Sequence, residues 1–133
     1  MVDNANVTQA VRDAFAGVTG KRLRYAIAKC NGADIELADQ GERAEGLDEL
    51  RAKLGSDPCY ILFDFEATKD DGAKLLKTCF IKFSPDSCTN MAQKMALQNY
   101  GNSVKNCVNV NKEMQINDLN DLTEGEFRDA FNL

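Results

Sequence analysis

The sequence of 133 residues contains no histidine and only two prolines. Without histidine, no Ser–His or Cys–His nucleophile pair can form, and no imidazole is available as a general base or metal ligand. Carboxylates, lysines and thiols remain for catalysis, but none of them stands in a recognisable catalytic pattern. We therefore expect a protein that is not an enzyme and that holds neither a cofactor nor a metal ion.

Long apolar runs are missing as well. No stretch approaches the roughly 18 apolar residues that a membrane-spanning helix needs, and Met1 to Asn4 carry neither the basic nor the apolar part of a targeting signal. The five cysteines form no C-x-x-C pair, which favours reduced thiols in an intracellular protein. At this length we expect one soluble, cytoplasmic domain over residues 1–133 that does not span a membrane.

Positive charge is concentrated in one part of the chain. The net charge is −5, yet residues 73–112 contain six lysines and a single acidic residue, Asp86. A basic segment on an otherwise acidic protein indicates a surface for an acidic partner, because the summed charge steers the encounter. Since the chain as a whole is acidic and lacks arginines interleaved with aromatic residues, we do not expect it to bind nucleic acid.

Apolar residues recur at helical spacing in three segments, and a capping sequence indicates a fourth helix. Asn6 or Thr8 would cap the start of the first helix. Gly17 or Gly20 would end it. Near the C-terminus, Thr123 begins a Thr-x-x-Glu capping box. The predicted helices cover residues 5–18, 47–54 and 90–108 and the segment that follows residue 123.

Alternating and continuous apolar runs predict five strands in an α/β (α+β) arrangement. The Asn31-Gly32 pair predicts a hairpin turn, and the two most apolar runs predict an antiparallel hairpin at the centre of the sheet. No internal repeat or linker interrupts the pattern, so a single layered structure is the simplest interpretation. The predicted strands cover residues 23–28, 33–38, 59–65, 75–83 and 113–116.

The longest predicted helix, over 90–108, has an unusual outer side. At 100° per residue, Leu97 and Val104 fall on the arc that would face the sheet, whereas Met95 falls on the opposite arc. Exposed methionines beside lysines, with no acidic residue nearby, suit contact with another protein. The outer arc comprises Met91, Lys94, Met95, Gln98, Asn102 and Lys105.

Three strings along the chain resemble the actin-depolymerising factor/cofilin family. They are Tyr60 with Asp64-Phe65-Glu66, the strand end Phe83-Ser84-Pro85-Asp86, and Lys94-Met95 in the long helix. The similarity covers nearly the whole chain and implies a single ADF-homology domain with a central mixed β-sheet of about five strands, flanked by helices on both faces. It also implies a monomer at the cytoskeleton that binds actin monomers and filaments and promotes filament depolymerisation and severing.

The resemblance implies two binding surfaces for actin. The monomer surface combines the N-terminal segment with the front of the long helix, and the filament surface combines basic residues of the central hairpin with charged residues of the C-terminal helix. The monomer surface comprises Asn4, Ala5, Asn6, Lys94 and Met95, joined through the geometry of the arc by Gln98 and Lys105. The filament surface comprises Lys74 and Lys77, with Arg128 and Asp129 as looser matches.

The chain also departs from the family pattern. Leu75 stands where a filament-binding basic residue often lies, and Ala92 replaces the usual arginine two residues before Lys94. Losing such charge-assisted contacts would weaken filament severing while leaving monomer binding. No serine lies near the N-terminus, so we expect no phosphate switch there. By analogy with relatives, the lysine-rich stretch would hold phosphoinositide head groups in competition with actin.

Other interpretations remain open, among them a binding domain of this fold that has lost its affinity for actin. Cys79-Phe80-Ile81 and Asp121-Leu122-Thr123-Glu124 are similar to glia maturation factor, a relative that binds the actin branching complex instead of actin and promotes debranching. An enzyme is a further alternative, because Asp64 and Glu66 alternate on one strand and would share a face as a paired acid and base. No convergent third group supports that pair.

Overall fold

The computed structural model describes residues 5–108, 110 and 112–132, and in this part of the chain six strands form one sheet. The strands are β1 Asn6–Val7, β2 Leu23–Asn31, β3 Asp34–Glu42, β4 Cys59–Thr68, β5 Lys74–Phe83 and β6 Lys112–Ile116. The helices are α1 Gln9–Thr19, α2 Leu47–Ala52, α3 Met91–Asn99, α4 Gly101–Lys105 and α5 Glu124–Ala130, with a 3-10 turn at Leu119–Asp121. None of the described helices is both long and apolar enough to cross a membrane.

The sheet is mixed, in the order β1-β3-β2-β4-β5-β6. The outer pairs β1–β3 and β5–β6 are parallel, and the three central pairings are antiparallel. The predicted α/β class is therefore confirmed, with six strands in place of about five. The central hairpin of β4 and β5 is also confirmed, and its ladder runs further than predicted, to the pair Thr68 and Lys74.

The extra strand is β1, and the helix predicted from residue 5 is wrong at its start. The backbone N–H of Asn6 donates to the Ala33 carbonyl at 2.8 Å, which places this residue in the sheet. Thr8 occupies the N-cap position, but its hydroxyl donates to the Ile35 carbonyl at 2.8 Å and caps no helix N–H. Helical spacing of apolar residues could not reveal a two-residue strand that depends on a distant partner.

Side chains that alternate along the central strands build two apolar layers. On one face, Tyr60 and Phe80 pack with residues of α1, α3 and α4, including Phe15 and Leu97. On the other face, Phe63 and Ile81 pack with residues of α2 and α5. Phe127 of α5 stacks on Phe63 with ring centroids 5.3 Å apart. The helices thus cover both faces of the sheet, as predicted.

The single helix predicted over 90–108 is wrong, because the chain forms two helices interrupted at Tyr100. At the interruption, the hydroxyl of Tyr60 donates a hydrogen bond to the Leu97 carbonyl at 2.6 Å. Gly101 lies so close to Lys82 that a Cβ there would stand 2.6 Å from the lysine Cε. A side chain that takes a carbonyl from the helical ladder is a recognised cause of a helix break.

Strand register defines two ends of the sheet. At the hairpin end lie the β4–β5 turn (residues 69–73), the start of β2 and the end of β3. At the opposite end, which we call the α3 end, lie the starts of β1, β3 and β4 and the last residues of β5 and β6. From there α3 and then α4 run towards the hairpin end, because Leu97 contacts Tyr60 and Lys105 contacts Glu113.

Candidate interaction surfaces

The first turns of α3 present apolar side chains to solvent at the α3 end of the sheet. Met91 is 65% exposed and Met95 is 59% exposed, whereas Leu97 is 1% exposed in the core. Asn90 caps the helix, since its side chain accepts the N–H of Gln93 at 3.2 Å. The helix contains one charged residue, Lys94, and no acidic one. Its outer side therefore combines adaptable apolar groups with positive charge.

The N-terminal members of the monomer surface lie at the same end of the sheet as α3. Asn6 is exposed, and its side-chain amide donates to the Asp34 carboxylate at 3.2 Å. Ala5 is half-buried. Asn4 lies outside the described residues. Sheet register, and not contact along the chain, brings the N-terminal segment to the end of the molecule where α3 begins.

Gln98 and Lys105 are placed differently from Lys94 and Met95. The side-chain amide of Gln98 lies 3.4 Å from that of Gln115 on β6. Lys105 belongs to α4, beyond the helix interruption, so the arc predicted from one continuous helix does not extend to it. Its ammonium forms a 2.8 Å ion pair with Glu113. The structure therefore separates Lys105 from the exposed side of α3.

Glu113 joins three elements through two lysines. Lys105 of α4 pairs with its Oε2, and Lys82 of β5 lies 3.6 Å from its Oε1. The hydrogen bond from Lys105 is the largest influence that holds the pKa of Glu113 below its usual value. This cluster fixes α4 against the edge of the sheet. Two lysines of the basic segment, Lys82 and Lys105, therefore form ion pairs within the protein.

The filament surface lies at the hairpin end. Lys74 is largely exposed and lies 3.8 Å from Glu66. Lys77 is half-buried on the other face, where its cross-strand partner Phe65 stacks on the rings of α5. Arg128 of α5 pairs with Glu124 at 2.9 Å and also reaches the Thr68 carbonyl at 3.5 Å. Sheet register and helix packing thus bring the hairpin and α5 together.

A groove of about 330 Å³ separates the hairpin turn from the end of α5. Its lining is mixed in charge. Arg128 and two acidic residues of the turn, Asp70 and Asp71, contribute to it. Asp129 is exposed on the same helix. The exposed cations of the filament surface therefore have carboxylates beside them, and the net positive charge of this surface is small. The full lining is Lys69, Asp70, Asp71, Arg128 and Asn132.

Sequence reasoning missed an ion-pair cluster around Asp64. This carboxylate is fully buried, and its Oδ2 accepts from Lys21 Nζ at 2.9 Å and from Arg43 Nη1 at 2.8 Å. Glu66 lies 3.7 Å from Arg24 and so has a cation of its own. The carboxylates are committed to structural ion pairs, and not to an acid–base pair. The run of basic residues at 21, 22 and 24 is the signal in the sequence that could have drawn attention to this place.

The cysteines form no disulfide, and the potential metal ligands do not cluster among the described residues. All five cysteines are free. Burial raises the pKa of Cys59 and of Cys79 to about 12, so both are protonated, weakly reactive thiols at neutral pH. No group of three or more potential ligands in the described ranges is placed to hold a metal ion.

Known proteins resemble this chain along almost its whole length. Residues 4–132 match the model of a family described as cofilin/tropomyosin-type actin-binding protein. A protein named cofilin from Mycosarcoma maydis is 28% identical over 127 residues, which cover 92% of this chain and 91% of that protein. Plasmodium berghei actin depolymerization factor 2 has the same fold, with a TM-score of 0.84, 22% identity and full coverage of both chains. Glia maturation factor from Caenorhabditis elegans shares the fold too, with a TM-score of 0.76, 13% identity and 96% coverage of both chains.

Proposed function

Because this chain belongs to the cofilin/tropomyosin-type actin-binding protein family, we propose that it binds actin monomers and filaments and promotes filament depolymerisation. The observation that carries the proposal is the exposed, acid-free side of α3, where Met95 and Lys94 stand together at the α3 end of the sheet. We place the protein in the cytoplasm, at the cytoskeleton, and expect it to act by binding and without catalysis.

The monomer surface is suited to an apolar groove with carboxylates at its rim. Met91 and Met95 are two of the three exposed large apolar residues among those the structure describes. Exposed apolar groups that lie together mark a binding site more often than scattered ones. Thioether side chains adapt to irregular apolar pockets, and the Lys94 ammonium would pair with an acidic group of the partner.

The placement of the two surfaces supports filament binding. The monomer surface lies at the α3 end and the filament surface at the hairpin end, so one molecule can contact two neighbouring actin subunits. A ligand shifts a conformational equilibrium by its difference in affinity for the two states. We propose that the protein favours a twisted filament in this way and that filaments then break where decorated and bare stretches meet.

We propose that severing is weak in this protein. Lys74 has Glu66 beside it, and Arg128 has Glu124. Leu75 supplies no charge where relatives often have a basic residue. A cation that already pairs within the protein gives up that weak pair when it contacts a partner, so it gains less than a free cation would. Monomer binding, which uses the other end of the molecule, does not depend on these residues.

The test compares two double variants for binding to monomers and to filaments. Replacing Lys94 and Met95 by Ala should weaken monomer binding at least about tenfold, since central interface residues dominate affinity. Replacing Lys74 and Lys77 by Ala should reduce co-sedimentation with filaments and leave monomer binding unchanged. Lys112→Ala removes an exposed charge outside both surfaces and serves as the control. Undiminished monomer binding by the first variant would overturn the proposal.

A glia maturation factor-like activity is the alternative, favoured by the Asp121-Leu122-Thr123-Glu124 string and by the shared fold. In the structure this string has a local explanation, because Leu122 is buried and the Thr123 hydroxyl accepts the Glu126 N–H at 3.3 Å. Pull-down with purified actin and, separately, with purified branching complex distinguishes the two functions. Binding to the branching complex alone would replace actin binding as the function.

Phosphoinositide head groups are proposed as ligands that compete with actin. The basic residues of both surfaces are exposed or half-exposed, and anionic head groups attract such clusters through screened electrostatics. Vesicles that contain phosphatidylinositol bisphosphate should reduce actin binding at low salt, and the effect should fade as the salt concentration rises. Competition that is independent of salt would contradict this electrostatic account.

A further inference from the structure

Four basic residues gather at the hairpin end of the sheet, beside the end of α1. We call Lys21, Arg22, Arg24 and Arg43 the basic patch. Lys21 and Arg43 meet at the buried carboxylate of Asp64. Arg24 donates to the backbone carbonyls of Arg43 and Asp64, at 3.0 to 3.2 Å. Residues of the loop between α1 and β2, of β2, of β4 and of the segment after β3 therefore converge on one place, although only three of the four cations are close in sequence.

The charge of the basic patch is only partly balanced within the protein. Lys21 and Arg43 pair with Asp64, and Arg24 lies beside Glu66, which also lies near Lys74 outside the patch. Asp64 is fully buried, whereas the side chain of Lys21 is 43% exposed. Glu42, next to Arg43 in the chain, is exposed as well. The four cations together with Asp64, Glu66 and Glu42 leave a small net positive charge, and the summed charge is what an approaching protein meets.

Arg22 is the least committed member of the basic patch. Its side chain is exposed, and it forms no ion pair with the residues that the structure describes. The guanidinium lies over the last turn of α1, where Nη1 is 3.2 Å from the place that a Cβ on Gly20 would occupy. The negative end of the helix dipole favours a cation at this place without forming an ion pair with it. Arg22 is thus positioned and still available.

The backbone at this place is strained. Lys21 has φ 65°, in the left-handed region that residues other than glycine rarely adopt. The strain is maintained by the ion pair with Asp64 and by the hydrogen bond from the Arg22 N–H to the Gly17 carbonyl at 2.8 Å. Strained residues cluster at sites of function, where the surrounding structure holds them in place. Here the left-handed residue ends α1 and places Lys21 and Arg22 directly after the helix.

The basic patch is continuous with the filament surface. Glu66 lies between Arg24 and Lys74, 3.7 Å from one and 3.8 Å from the other. Its cross-strand partner on β5 is Leu76, which is 40% exposed. An area with several cations, Glu66 and an exposed apolar side chain therefore extends from the residues after α1 to the hairpin. By contrast, the cation of α5 in the filament surface, Arg128, is paired with Glu124.

We infer that the basic patch, centred on Arg22, is a further part of the filament surface and contacts acidic side chains of an actin filament. This inference rests on the proposed function. The occupant is an acidic protein surface, because the patch joins the proposed filament surface and presents Arg22, a cation with no ion pair among the described residues, on the same side of the molecule as an exposed leucine. The basic patch supplies the positive charge that Leu75 and the paired Arg128 do not.

Arg22 is the residue to vary, because Lys21, Arg24 and Arg43 also support the fold. Arg22→Gln should weaken co-sedimentation with filaments about threefold and Arg22→Glu about tenfold, whereas Arg22→Lys should retain binding. The difference between the wild type and Arg22→Glu should shrink as salt rises, since the contact is exposed. Monomer binding should be the same for all variants. Lys112→Glu is the matched control, and thermal unfolding checks that each variant is folded.

The outcomes separate this inference from the proposed function. Equal filament binding by the wild type and Arg22→Glu, together with reduced binding by the Lys74 and Lys77 double variant, would overturn the inference alone. A wild type that binds neither monomers nor filaments would overturn both. If Arg22→Glu loses only binding to phosphoinositide vesicles and keeps filament binding, the basic patch is a lipid site and the inference is wrong.

Discussion

Lys21 occupies the position that glycine most often fills after a helix. The N–H of Arg22 donates to Gly17 and that of Lys21 donates to Val18, which is the hydrogen-bond pattern of a Schellman motif, with its left-handed residue at Lys21. Gly20, one of the two glycines predicted to end the helix, is the C-cap residue directly before Lys21 and has φ −83°. The ion pair of Lys21 with the buried Asp64 explains why a lysine stands where a glycine would be relaxed.

Two substitutions at Lys21 separate the backbone strain from the ion pair. Lys21→Ala and Lys21→Gly both remove the ammonium, but only glycine adopts a positive φ without a steric penalty. The glycine variant should therefore be more stable than the alanine variant by about 1 kcal/mol. Urea unfolding at neutral pH measures both free energies. Equal stability of the two variants would show that the backbone is relaxed at this position.

At the scale of single residues, local periodicity was the reliable guide. It predicted the inward position of Leu97 and the exposed position of Met95, because both depend only on neighbouring turns of one helix. It could not predict the partners of Asp64, because Lys21 and Arg43 are 43 and 21 residues away along the chain. Only the register of β2, β3 and β4 brings these charges together.

At the scale of elements, the interruption between α3 and α4 illustrates how tertiary contacts override a local pattern. Gly101 was visible in the sequence within the predicted helix, and an internal glycine weakens a helix by about 1 kcal/mol relative to alanine. The decisive contact is the Tyr60 hydroxyl, which comes from the second residue of β4. The sequence therefore contained a sign of the break but not its cause.

Removing the Tyr60 hydroxyl should destabilise the fold. Tyr60→Phe leaves the ring in the core and deprives the Leu97 carbonyl of its donor at 2.6 Å, at a cost of about 1–2 kcal/mol in the free energy of unfolding. Tyr100→Phe is the matched control, because no hydrogen bond of its hydroxyl joins it to another described residue. Urea unfolding of the two variants measures the difference. A Tyr60→Phe variant as stable as Tyr100→Phe would contradict this role.

The cluster at Glu113 should make part of the stability depend on pH. Its carboxylate has a pKa lowered from the usual 4.5, chiefly by the hydrogen bond from Lys105. A lowered pKa means that the stabilisation is complete above pH 4.5 and is lost as the pH falls through the folded-state value. Because the side chains are partly exposed, Glu113→Gln should lower the free energy of unfolding by only about 0.5 kcal/mol at pH 7.

The measurement compares the wild type with Glu113→Gln by urea unfolding from pH 7 to pH 3. The two curves of stability against pH should approach each other as the pH falls below 4.5, because Glu113 of the wild type becomes protonated and its ion pairs are lost. Lys112→Gln neutralises a charged side chain next to the cluster without removing an ion pair that the structure shows, and so controls for the loss of an unpaired neighbouring charge. A difference between the proteins that stays constant down to pH 3 would exclude the ion pairs as its source.

At the scale of the whole molecule, basic and acidic side chains are concentrated in different places along the sheet. The basic patch and the filament surface share the hairpin end, and the monomer surface lies at the α3 end. The outer side of β3 is an open sheet edge beyond Ile35, because no described strand pairs with it there. Exposed acidic residues occur along it, including Glu36 and Asp39. Charges and irregular register on an edge strand discourage pairing with another chain.

We expect the outer edge of β3 to prevent self-association. The register of β2 and β3 shifts at Ala38, which is exposed beside Glu36, and this irregularity and the charge together should keep the protein monomeric. Replacing Glu36 and Ala38 by Val makes the edge apolar and should produce dimers or larger species in sedimentation velocity at increasing concentration. Replacing both residues by Lys changes the same positions but keeps the edge charged, so that variant should remain monomeric. A valine variant that sediments as a monomer at every concentration would mean that the edge is blocked by its geometry alone.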